Sequence, residues 1–328
     1  MPRPSWLLCT AALAALLLAT SACAQAQTFT DPEKAGEDYA VQGEYVGTLK
    51  TDDGEEKWGL QLIALGAGKF RGVGFQGGLP GDGWSRGDDS HASEGELKDG
   101  VVTLKHEDIT VTIKDGLATV STGGNDLGAL KKVERKSPTL GAKPPQDAIV
   151  LFSGKDDLEK WNNAKLSEDG YLAASNVETK EKFGDHTLHI EFRTPFMPQA
   201  RGQGRGNSGV YLQSRYELQV LDSFGLDGKD NECGGIYSIN QPLVNACLPP
   251  LAWQAYDIDF TAAKHDDSGK KIKNARTTIK HNGIVIHDDQ ELTHGTPGRH
   301  GEGPGPDAIF LQEHGNPVVY RNIWIIKK

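Results

Sequence analysis

The chain has 328 residues, with 45 acidic and 35 basic side chains and a formal net charge of -10. That negative excess argues against nucleic acid and anionic membrane surfaces as partners. Forty glycines in 328 residues exceed the usual share of about 7%, and with closely spaced turns they favour an all-β protein.

The N-terminus reads as a signal peptide over residues 1–26. Arg3 precedes an apolar run from Trp6 to Leu18, and small residues follow up to Ala26. The run is too short for a membrane span, and no later stretch is longer. Two exits compete: cleavage after Ala24 or Ala26, or cleavage before Cys23 with a lipid anchor on that cysteine. Thr20 stands where the lipid-anchor pattern has an aliphatic residue. Either exit predicts an exported protein, periplasmic or extracellular.

Residues 27–40 are polar and acidic and suit a tether or a first turn. From 41 to 135 short alternating runs bounded by Gly, Asp or Asn predict a small antiparallel β domain. They include Glu44–Leu49, Trp58–Leu65, Lys69–Phe75, Val101–Lys105, Ile109–Ile113 and Ala118–Ser121. Gly77–Trp84 is glycine-rich but lacks the Lys and Ser/Thr of a phosphate loop, so it reads as a turn. Residues 136–147 are rich in proline and glycine and predict an extended linker. From 148 to 328 many short strands and no convincing helical period point to a β-sandwich.

Within that second domain, residues 206–222 predict two strands and a turn near Ser214 and Arg215. Val210, Leu212, Leu218 and Val220 would face a core, leaving Tyr211, Gln213, Glu217 and Gln219 on the other side. Tyr, Gln and Glu form a hydrogen-bonding wall suited to a polyhydroxylated ligand. Asn207 precedes this wall, and Gln312 and His314 share a face of a later strand. Tyr237 and Trp253 could offer rings to a sugar or lie in the core. Glu191 and Arg193 share a strand face and could contact substrate or pair across strands. His186 could reach the site rim, and Arg321 and Asn322 would fix backbone near an edge. Cys233 and Cys247, an isolated pair in an exported chain, predict a disulfide worth roughly 3 kcal/mol. Asp222, Asp227, Asp230 and Glu232 could hold calcium, although their spacing is not that of a helix-flanked calcium loop; no metal ligand set is predicted.

The pieces Leu151-Phe-Ser-Gly-Lys, Phe183-Gly-Asp-His-Thr-Leu-His-Ile-Glu-Phe-Arg193, Gly206-Asn-Ser-Gly-Val-Tyr, Tyr216-Glu-Leu-Gln-Val-Leu-Asp222, Gly234-Gly-Ile-Tyr237, His281-Asn-Gly283 and Leu311-Gln-Glu-His-Gly-Asn-Pro-Val-Val-Tyr-Arg-Asn322 occur in order. Together they resemble the 3-keto-disaccharide hydrolase domain family over residues 148–328. The resemblance implies a concanavalin A-like jelly-roll β-sandwich that binds carbohydrate, and cleavage of glycosides already oxidised at C3. The sequence departs from the family pattern in its cysteine pair and in Glu313, where Asp is usual.

A ketone at C3 acidifies the C2 proton, so one base can remove it while the group on C1 leaves, and water then adds to the unsaturated sugar. This needs a general base and donors for the developing oxyanion rather than the paired carboxylates of an ordinary glycosidase. Glu217, with Gln219 where a second acid would stand, fits the lighter requirement. Glu217 is a candidate base or ligand anchor and His314 a candidate base or acid; Tyr211, Gln213, Gln219, Glu191, Arg193, Asn207, Gln312, Tyr237 and Trp253 are the candidate contacts to a 3-keto-glycoside. The same wall would also serve a non-catalytic, lectin-like module.

Overall fold

The computed structural model describes residues 27–52 and 54–328. The expected signal peptide and the anchor at Cys23 lie outside the described residues. Among those described, no helix is long and apolar enough to cross a membrane.

Residues 43–133 close into an eight-stranded antiparallel barrel. Its strands run in chain order, and Gly43–Thr51 pairs with Asn125–Val133 to seal it, from Glu44↔Val133 to Leu49↔Gly128. Two strands absent from the sequence reading, Ser90–Lys98 and Asn125–Val133, carry so few apolar residues that their alternation is faint. Tyr45, Leu62, Phe70, Val102 and Ile113 fill the interior near one end. That end is capped by Ala35 and by Phe196 and Leu251 of the second domain.

The stretch 27–40 is not a free tether. It carries a 3-10 turn at Pro32–Lys34 and a short helix, Gly36–Val41. Phe29 exchanges both backbone hydrogen bonds with Phe196 at 2.9 Å, so a residue before the barrel is pinned to the sandwich.

The second domain packs a seven-stranded sheet against a five-stranded one. The larger contains His186–Arg193, Gln254–Thr261, Ala275–His281, Ile284–Leu292 and Val319–Lys327; the smaller contains Val177–Thr179, Ser208–Leu212, Tyr216–Val220 and Phe310–Leu311. Alternate residues from both sheets, among them Leu188, Ile190, Val210, Leu218, Ile258 and Ile279, meet in one core. This is the all-β sandwich that the strand pattern predicts.

Cys233 and Cys247 lie in that core as free, buried thiols, which corrects the expected disulfide. The two sulfurs adjoin as hydrogen-bond partners. Cys233 Sγ lies 3.2 Å from Tyr256 Oη, and Cys247 Sγ lies 3.5 Å from the Leu248 carbonyl. His186 is likewise interior, with Nδ1 2.7 Å from the Gly184 carbonyl oxygen, and burial lowers its pKa to about 4. It does not reach a site rim.

The linker is clamped. Gly141 N donates to Glu191 Oε1 at 2.5 Å, Asn322 Nδ2 donates to the Ala142 carbonyl at 3.1 Å, and Thr139 Oγ1 donates to Asp257 Oδ2 at 2.8 Å. Glu191 also accepts from Arg321 Nε at 2.7 Å and Asn322 Nδ2 at 2.8 Å. Burial alone would raise the pKa of Glu191, but the hydrogen bonds from His189, Asn322, Gly141 and Arg321 hold it near 2.

The barrel rests on the sandwich through Ile63, Val73 and Phe75, which pack on Phe224. Arg86 reaches the carbonyls of Asp227, Gly228 and Pro242 at 2.8–3.0 Å. The glycine-rich turn that precedes Arg86 is therefore a docking element.

Because Glu191 ties linker to sheet, Glu191→Ala is expected to cost about 3 kcal/mol in chemical denaturation. A carboxyl held down on folding adds stability above its unfolded pKa, here 4.5, and loses it as pH falls toward 2. Wild-type stability should therefore fall more steeply than that of Glu191→Gln across this window.

Candidate active site

The hairpin of Ser208–Leu212 and Tyr216–Val220 sets the site. Its register places Tyr211 opposite Glu217 and Gly209 opposite Gln219. Gln213 and Ser214, both at φ 52°, form the turn, and Arg215 N closes it on the Leu212 carbonyl at 3.1 Å. Strand alternation thus ends at Leu212. Gln213 swings out of the polar wall and donates to the Phe183 carbonyl at 2.8 Å.

Glycine at 209 is a spatial requirement. A Cβ there would stand 2.3 Å from Glu217 Oε1, so the carboxylate occupies the room that a side chain would take. Gly298, at φ 103°, lets its loop approach the Tyr211 hydroxyl, since a Cβ would lie 2.7 Å from that oxygen.

The result is a cleft of about 200 Å³ lined by Gln203, Asn207, Tyr211, Glu217, Gln219, Tyr237, Pro297, Gly298, Gln312 and His314. Tyr211 Oη donates to Glu217 Oε2 at 2.8 Å and accepts from Gln312 Nε2 at 3.2 Å. Gln219 Nε2 donates to Asn207 Oδ1 at 2.8 Å, and Asn207 Nδ2 donates to the Gln203 carbonyl at 2.8 Å. These bonds fix the amides, leaving the Gln219 and Gln312 side-chain oxygens without donors among the described residues. The Tyr237 hydroxyl and the His314 ring also make no side-chain hydrogen bond among the described residues. The cleft therefore offers acceptors, one phenol donor and one imidazole to a ligand.

Glu217 is the sole carboxylate in the lining and is only 4% exposed. Burial raises its pKa to about 7, and the Tyr211 hydrogen bond offsets part of that rise. Proton affinity of this order equips a side chain both to accept and to return a proton near neutral pH.

Seven of the predicted residues thus share one cleft: Glu217, His314, Tyr211, Gln219, Asn207, Gln312 and Tyr237. Gln213 is diverted by the turn. Glu191 holds the linker. Arg193 lies over the rings of Trp253 and Tyr171, with centroids at 5.1 and 5.3 Å, and pairs with Asp169 at 3.3 Å. Arg321 covers Trp253 at 3.9 Å, so that tryptophan is engaged by two arginines of the seven-stranded sheet, away from the cleft. Gln203, Pro297 and Gly298 were not legible in the sequence; they come from loops with no strand periodicity.

The acidic loop does not form a cation site. Asp222 is buried against Arg205 Nε at 2.6 Å, and Glu232 Oε2 accepts from Gly228 N at 2.7 Å and Lys229 N at 3.0 Å. Among the described residues no group of three or more His, Cys, Asp or Glu side chains could hold a metal.

A jelly-roll-type sandwich with a polar cleft and one buried acid defines a class of carbohydrate-active proteins rather than a single activity. Residues 147–326 match the family described as the 3-keto-alpha-glucoside-1,2-lyase-like domain, and the chain belongs to that family. It is therefore classed among carbohydrate-active, glycosidase-like enzymes. Among solved structures, one from Parabacteroides distasonis ATCC 8503, provisionally named a glycosyl hydrolase, is 33% identical. The match covers 56% of this chain and 85% of that one, with a TM-score of 0.52. A second, similarly named protein from the same organism is 16% identical, covering 56% of this chain and 94% of that one, with a TM-score of 0.38. No curated protein matches the chain.

Removing the Tyr211 donor should let burial act alone on Glu217. Tyr211→Phe is expected to move the Glu217 titration, followed by carboxyl NMR, above its wild-type value of about 7. A carboxyl whose pKa is raised on folding costs stability as pH climbs from its unfolded value, 4.5, through 7. Glu217→Gln should accordingly melt higher than wild type at pH 8 and show no such gain at pH 4.

Proposed function

We propose that the protein cleaves the glycosidic bond of 3-keto-glycosides by elimination followed by hydration. The observation that carries this reading is a single buried carboxylate, Glu217, poised near neutrality in a cleft otherwise lined by amides, phenols and an imidazole. An ordinary glycosidase places two carboxylates about 5–10 Å apart across the scissile bond, and this lining supplies one.

In the proposed reaction Glu217 takes the proton from C2 of the keto sugar. The C2–H electrons form the C1=C2 bond as the C1–O bond breaks, and the leaving oxygen takes a proton from His314. Charge that develops on the C3 oxygen is met by the Tyr237 hydroxyl. Water then adds across the double bond of the unsaturated keto sugar: C1 gains the hydroxyl, the proton that water gives up returns to His314, and C2 regains a proton from Glu217. The Gln219 and Gln312 oxygens accept from sugar hydroxyls and fix the ring.

The N-terminal sequence supports export, so the substrate would be met outside the cytoplasm.

The test is incubation with a 3-keto-disaccharide and with its unoxidised parent. Release of free sugar from the keto form alone is expected. Binding of both without turnover would replace this reading with a lectin-like one. Glu217→Gln should lower kcat by roughly 10³-fold. Because the base must be ionised, the acid limb of the kcat/KM profile should rise with pH through about 7. Wild-type turnover by both Glu217→Gln and His314→Ala would remove the assignment.

A further inference from the structure

The eight-stranded barrel is closed at one end and open at the other. Around the capped end its interior is filled by Tyr45, Leu62 and Phe70. Toward the other end lies a cavity of about 170 Å³ with an aliphatic floor that includes Leu60, Leu104 and Leu130. Eight strands suffice either for a filled interior or for one small ligand, so the choice rests with the inward side chains.

Here the strand Lys69–Gln76 makes that choice. Its inward positions read Phe70, Gly72 and Gly74, with both glycines lining the cavity. A Cβ on Gly72 would collide with Leu104 Cδ1 at 2.4 Å, so that glycine serves packing. A Cβ on Gly74 would meet nothing nearer than 3.8 Å, where the Trp58 ring and the His91 carbonyl stand. The space beside Gly74 is thus unfilled although a side chain would fit.

The mouth carries a different chemistry from the floor. Trp58 and His91 stack with centroids 6.2 Å apart at 27°, and His106 lies 5.7 Å beyond His91. All three line the cavity. Neither imidazole makes a hydrogen bond among the described residues, whereas the Trp58 indole N–H is taken by Glu56 Oε2 at 3.3 Å. Among the described residues no charged side chain lines the space, so an ionic ligand would be desolvated without compensation, and a sugar would leave most of its hydroxyls unpaired.

We propose that the open mouth of the barrel binds a small uncharged aromatic molecule carrying one hydroxyl, a simple phenol. The ring enters the apolar space beside Gly74, and the hydroxyl remains at the rim within reach of the imidazoles of His91 and His106. The volume fits, since an apolar cavity of about 150 Å³ stays dry and accepts benzene. This site is separate in chemistry from the sugar cleft and does not depend on the reaction proposed for it.

The test is titration of the full chain with phenol, followed by ¹H–¹⁵N NMR and calorimetry, with toluene and glucose alongside. Burying one ring predicts a Kd on the order of 1 mM, with shifts at the Gly74 amide and the imidazoles of His91 and His106. Gly74→Leu should abolish phenol binding, and Glu217→Gln should leave it unchanged. His91→Ala combined with His106→Ala should weaken phenol by about 3- to 10-fold while sparing toluene. Glucose should not shift these signals. The absence of phenol-induced shifts in the barrel at 10-fold excess over about 1 mM overturns the proposal. So does unchanged affinity in a folded Gly74→Leu. Should that variant not fold, the wild-type shift map decides alone.

Discussion

The buried ion pair between Arg205 and Asp222, 2.6 Å from Nε to Oδ2, is the contact on which the geometry of the cleft depends. Asp222 follows the strand that bears Glu217 and Gln219. Arg205 lies in the loop that delivers Gln203 and Asn207, between the two. Its backbone carbonyl accepts from Asp222 N at 3.1 Å, and its NH1 donates to the barrel carbonyl of Ala64 at 3.3 Å. One guanidinium thus holds together a site strand, a site loop and the other domain. Buried pairs of this kind add little net stability compared with apolar packing; what this pair contributes is the relative position of three segments.

The cleft sets one desolvated acid inside a bonded polar frame. Glu217 is surrounded by groups that satisfy one of its oxygens and leave the other beside Gly209, so its charge is expensive by construction. The neighbouring amides, by contrast, are bonded in a chain from Gln203 through Asn207 to Gln219. A rigid amide frame around a titratable acid reduces the reorganisation that accompanies proton transfer.

Legibility in the sequence followed the strength of local periodicity. The polar wall at 211, 217 and 219 could be read because two strands alternate cleanly with period two. Gln213 obeyed the same pattern on paper, yet paired left-handed residues at 213 and 214 end the strand one position early. Glu191 looked like a site acid because type and alternation do not say which sheet, or which neighbour, a side chain meets. Gly141 and Arg321, distant in sequence, decide its role. The barrel's closure was equally hidden, since Ser90–Lys98 and Asn125–Val133 hold their places by ladder hydrogen bonds with few apolar side chains. Cys233 and Cys247 show the same limit: their number and expected compartment suggested a bridge, and they stand as free, buried thiols.

The seam between Gly43–Thr51 and Asn125–Val133 also constrains how the chain acquires its shape. Closing the barrel joins its first strand to its last, a contact of high sequence separation that cannot form until the entire domain is available. Until then both flanking strands expose unpaired edges, the kind that other chains can capture. Since Phe29 pairs with Phe196, even the segment before the barrel finds its partner only after the sandwich has begun to form. The front domain is thus the earlier part of the sequence but depends on the later part for its capped end, so synthesis order and assembly order need not coincide.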